Sequence, residues 1–154
     1  MEDNKTVGCW EFLNSARAAH FDAARYSRRM KELDARCEQI TAKMSGMPGG
    51  GGSDKHGDEL WAALADLRDM WLAKYTEAVK NEKLVEEFIE QIENFEQRAV
   101  LKLRYVDRLR WPVVLQDLER FDIYCSDREM FRTHNEALTS AKELWKKTYK
   151  ESAE

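Results

Sequence analysis

Residues that stop helices are almost confined to one place in this chain. Only two prolines occur in 154 residues, Pro48 and Pro112, and five of the seven glycines fall between Gly46 and Gly52, with Gly57 close behind. The sequence on either side is rich in Ala, Leu, Glu, Lys and Arg, the residues that lose least on entering a helix. An all-α fold is expected, interrupted once at residues 46–57 and again in the last third.

Before the break, Cys9, Phe12, Ala16, Ala19, Ala23, Tyr26, Met30, Leu33, Cys37, Ile40 and Met44 recur at spacings of three and four, which is a heptad seam. A helix from about Trp10 to Lys43 must cover that seam with another helix. After the break, Leu60, Leu64, Leu67, Trp71, Tyr75 and Ala78 supply a second stripe, which Val85, Phe88, Ile92 and Phe95 continue. The spacing predicts a long antiparallel, coiled-coil-like hairpin over residues 1–94. Pairing of the same helices between two copies, giving a homodimer, is the alternative. Ser53 or Asp54 is one candidate cap for the second helix, and Asp58 with Glu59 another. Trp10, Trp61, Trp71, Phe88 and Phe95 sit at helical spacings and are expected in the core.

Residues 95–150 read as three helices forming a helix-turn-helix. Apolar periodicity predicts one helix from Glu96 to Tyr105 and a second from Trp111 to about Arg120. Pro112 is acceptable there because first-turn N–H groups have no helical partner. The third starts at Ser126, where Ser126 and Glu129 have capping-box spacing. Met130, Thr133, Ala137 and Leu138 are spaced to face back onto the other two helices. Arg128 and Arg132 lie one turn apart, so both guanidinium forks could enter one DNA groove and pair with guanine. Pairing of those arginines with Asp127 and Glu136 on a solvated face is the competing reading.

The segments R-A-V-L-K-L-R-Y-V, W-P-V-V-L-Q-D-L and C-S-D-R-E-M-F-R-T-H-N-E-A-L resemble, in order, the promoter-reading C-terminal region (region 4) of bacterial sigma factors. The chain is more closely similar to small phage- and prophage-encoded sigma-like proteins, in which a long helical segment with S-G-M-P and glycines precedes such a unit. Ser45, Gly46, Met47, Pro48 and Gly49 to Gly52 carry that part of the resemblance, which spans Arg29 to Trp145. It implies a regulator of phage-type transcription, with Asp127, Arg128 and Arg132 as base contacts, double-stranded DNA as ligand and RNA polymerase as a candidate partner. One departure stands out: the family joins Leu118 to the serine by a tight turn, whereas here Glu119 to Cys125 intervene. Either the second helix gains a turn with Phe121 packed inside, or the third helix is displaced.

Composition narrows the remaining classes. The formal charge of −4 argues against a general nucleic-acid sponge, yet residues 95–150 carry 12 Lys and Arg against 9 Asp and Glu, leaving −7 for the rest. The basic share therefore lies with the DNA-reading candidate. Arg108, Arg110 and Lys142 are the phosphate-contact candidates. Cys9, Cys37 and Cys125 are widely spaced and read as buried free thiols, while His20, His56 and His134 show no ligand spacing, so neither metal nor cofactor is expected. No run of apolar residues approaches bilayer length, and the acidic start is unlike a secretory signal, so a cytoplasmic location without membrane contact is expected. An enzyme is the least supported class, because no Ser/His/Asp or Cys/His set has motif context. A DNA-packaging subunit of the small-terminase type and a coiled-coil adaptor docking on RNA polymerase remain as alternatives to the regulator.

Overall fold

The computed structural model describes residues 8–45 and 54–151, and within these every regular element is helical. The five α-helices are α1 (Cys9–Ser45), α2 (Asp54–Ile89), α3 (Phe95–Leu101), α4 (Trp111–Arg120) and α5 (Asp127–Glu151), with a π-helical segment at Lys102–Val106 running on from α3. The S-G-M-P signature beyond Ser45, the glycine run and the Ser53 cap lie outside the described residues. Because α2 already includes Asp54, a start at Asp58 is corrected. No helix among the described residues is long and apolar enough to cross a membrane.

The chain divides into two compact units, one of Ala19–Ala78 and one drawing on Met1–Ala18 and Val79–Glu154. In the first of these, Ala19, Ala23 and Cys37 of α1 and Leu64 and Ala78 of α2 are buried, and the His20 and Tyr75 rings meet edge to face at 6.4 Å. Trp71 stacks on Tyr75 at 5.3 Å. Trp61, expected inside, is 51% exposed.

In the other unit the start of α1 and the end of α2 pack together with α3 and α5. Leu13, Ala16, Val85, Phe88, Ile89, Ile92, Leu101, Tyr105, Val106, Ala137 and Ala141 are buried in one cluster, which Phe12 and Trp145 flank. Phe12 meets Phe88 edge to face at 5.4 Å and Trp145 at 4.8 Å. Leu13, absent from the seam read off the sequence, is fully buried, whereas Trp10 and Phe95 are more than half exposed. Phe95 leaves the stripe because α2 ends at Ile89, so the turn that follows resets the helical phase.

That turn is held by Arg98, whose guanidinium donates to the carbonyls of Ile92 at 2.6 Å and Glu93 at 2.9 Å. Asn94 caps α3 by accepting from the Gln97 amide. The regular α-helix expected to continue to Tyr105 instead widens after Leu101, and Asp107 N–H donates to the Lys102 carbonyl five residues back. In an α-helix Leu101 and Val106 would lie about 140° apart; an i→i+5 turn brings them to one side. Leu101, Tyr105 and Val106 thereby enter the large cluster, while Val100 and Leu103 enter a second with Val114, Leu118 and Met130.

Candidate nucleic-acid interface

The fifth helix begins as the spacing predicts. Ser126 Oγ accepts from the Glu129 amide and Glu129 Oε2 accepts from the Ser126 amide, both at 3.2 Å, so two N–H groups that the helix leaves orphaned are satisfied. Met130, Ala137 and Ala141 turn inward and are buried, with Thr133 and Leu138 half-buried beside them. Asp127, Arg128 and Arg132 are exposed. Among the described residues neither arginine forms an ion pair. A surface hollow of about 640 Å³ is lined by Ser126, Arg128, Glu129, Phe131, Arg132 and Asn135.

The three phosphate-contact candidates do not line this hollow. Arg110, exposed, is the N-cap residue of α4. Arg108 has a positive φ of 60° just after the π segment, and its guanidinium donates to Glu82 Oε2 at 3.2 Å and to the Val106 carbonyl at 3.3 Å. Lys142 is exposed in the later turns of α5, and its charge opposes the rise that burial imposes on the Cys9 thiol pKa.

Beneath the hollow is an aromatic support. Trp111, at the start of α4, meets Phe131 edge to face at 5.0 Å and His134 at 4.7 Å. The Arg104 guanidinium lies 4.7 Å from the centre of the Trp111 ring and also donates to the Leu109 carbonyl at 2.9 Å. His134 Nε2 is 2.8 Å from the Tyr105 hydroxyl, tying α5 to the π segment. Burial, and then the positive charge of Arg104, lower the His134 pKa; burial raises that of Tyr105. The sequence gives no sign of the contact between Arg104 and Trp111, which depends on the π segment and the loop after it.

The long connection between α4 and α5 does not extend the second helix by a turn that packs Phe121 inside. The helix stops at Arg120, and Phe121 is 50% exposed. Asp122 takes a left-handed φ of 59°. Its amide donates to Glu119, and that of Ile123 to Leu118, each at 3.0 Å. This is the Schellman pattern, including the apolar contact it favours, since Ile123 tucks against the cluster holding Leu118. Of the extra residues Phe121 and Tyr124 are exposed, while Ile123 and Cys125 pack against the cluster of Val114, Leu118 and Met130. A cavity of about 370 Å³ lies between α3, this loop and α5, with Glu96, Leu118, Tyr124, Cys125 and Thr133 among its walls.

A family model described as protein of unknown function (DUF1492) matches residues 39–142, and the chain belongs to that family. No curated protein and no solved structure gives a significant match.

Proposed function

We propose that this member of the DUF1492 family is a sequence-specific DNA-binding regulator of phage-type transcription, sigma-like in its C-terminal part, acting in the cytoplasm. In this reading α3, α4 and α5 form the helix-turn-helix, with α5 entering the major groove by its first turns. The observation that carries it is the pair Arg128 and Arg132: exposed, one turn apart and without an ion pair among the described residues, on a helix whose opposite face is anchored by Met130 and Ala137. Two such forks can each meet the O6 and N7 atoms of a guanine. Arg110 would meet phosphate, while Arg108 would first have to leave Glu82. The long helices α1 and α2, as a hairpin, would supply the surface for a second copy or for RNA polymerase.

Selection of bound duplexes from a random pool tests this. A reproducible motif is expected, with affinity falling as salt rises. Replacing Arg128 and Arg132 by Ala should abolish the preference, at about 1–3 kcal/mol per lost base contact, and leave helicity intact. Undiminished preference in the double variant would reject these residues as base readers.

A purely protein-binding adaptor is the second reading. It draws on Trp61, Leu72 and Tyr75, which are 44–56% exposed along α2, more large apolar surface than a helix facing only water needs. A chain that binds no duplex at low salt but retains polymerase would favour it.

A further inference from the structure

We propose that Phe131 is a specificity-determining residue that reads a thymine methyl group beside the guanines met by Arg128 and Arg132; this rests on the DNA-binding reading above. Phe131 lies on the same side of α5 as Arg128, Arg132 and Asn135, and these four line one hollow. It is 42% exposed. The inward face of α5 is filled not by this ring but by Met130, Ala137 and Ala141. Nor is the ring loosely held: Trp111 meets it edge to face at 5.0 Å and is itself fixed by Arg104 and His134. A fixed apolar surface beside two cationic forks is poorly suited to phosphate, which wants donors, and well suited to the one apolar group in the major groove, the C5-methyl of thymine. Trp111 is then a positioning residue. It sets the height and tilt of Phe131 without touching DNA. Asn135, one turn further along, presents an amide of the type that pairs with adenine, so the face as a whole fits guanines flanked by an A·T pair.

The test compares duplexes of the motif selected by the unaltered chain in which each thymine in turn is replaced by deoxyuridine, removing only the methyl group. At one position the unaltered chain should bind about fourfold more weakly, the expected effect of one buried methyl-sized group. Phe131→Ala should bind thymine and uracil duplexes equally at that position, while Phe131→Leu should keep part of the difference. Both variants should retain the helicity of the parent, since the side chain is substantially exposed. Specific binding with no thymine–uracil difference anywhere, or a difference that survives in Phe131→Ala, would overturn the assignment and leave the regulator reading standing. Absence of any selected motif would overturn both.

Discussion

The two apolar clusters of the C-terminal unit are assembled on opposite plans. The smaller joins Val100, Leu103, Val114, Leu118 and Met130, all within one short stretch of chain. The larger gathers Leu13 and Ala16 from α1, Val85, Phe88 and Ile89 from α2, Leu101, Tyr105 and Val106, and Ala137 and Ala141 from α5. The first can organise the surface that would meet DNA from local contacts alone. The second makes the long axis of α5 depend on residues of α1 and α2 that lie 48 or more positions away in sequence. A segment excised at residue 95 would therefore lose the wall behind α5.

Excision is the most severe way to break this comparison. A fragment of residues 95–154 should show no cooperative thermal transition, because Leu13, Val85, Phe88, Ile89 and Ile92 no longer cover Leu101, Tyr105 and Ala137. A fragment that melts as sharply as the whole chain would mean the large cluster is dispensable. Point substitutions sharpen the same contrast. Leu13→Ala and Leu118→Ala each remove a fully buried leucine from a different cluster, and each should cost about 3 kcal/mol in denaturant unfolding. The losses should add to within about 0.5 kcal/mol in the double variant if the clusters are independent.

The same contrast governs how much was legible in the sequence. The capping box at Ser126, the extent of α4 and the inward face of α5 all follow from residues three or four positions apart, and all are where the spacing puts them. Leu13 was missed because a stripe read at alternating threes and fours passes through Phe12, and only the partner helices decide which of the two neighbours is covered. Phe95 is misplaced for a related reason, because apolar periodicity cannot see where α2 ends, and Trp10 because it lies one position off the face that Cys9, Leu13 and Ala16 bury. The π segment left one trace, since apolar residues at 100, 101, 103, 105 and 106 are too dense for a single α-helical stripe. For the candidate site, the arginines are visible, but the Arg104–Trp111–Phe131 contacts beside them are not, because the three residues come from separate elements.

Two helix stops in this unit use residues other than glycine at positive φ, Arg108 at 60° and Asp122 at 59°. A side chain there costs about 1–2 kcal/mol relative to a right-handed conformation, somewhat less for aspartate. Asp122→Gly should therefore stabilise the protein by about 1 kcal/mol in chemical unfolding. Arg108→Gly should gain less or nothing, because the arginine also donates to Glu82 and to the Val106 carbonyl. Equal gains at both positions would show that the Arg108 contacts contribute nothing to stability.

The smallest effect should be the pH response of the Tyr105–His134 link between α5 and the π segment. Burial, followed by the charge of Arg104, holds the His134 pKa below its ordinary value of 6.5. As pH falls through 6.5 the unfolded chain takes up a proton that the folded chain resists, so the unfolded state binds more protons and folding stability declines. The contribution is fully present above 6.5 and is lost as pH drops toward the folded-state value. The neutral ring can accept from the Tyr105 hydroxyl at Nε2, and protonation removes that lone pair. The melting temperature should accordingly fall between pH 7.5 and 5.5, and His134→Gln, which cannot titrate, should flatten that part of the profile. A histidine variant that declines as steeply as the parent would assign the slope to other groups and leave the Tyr105 contact without influence on stability.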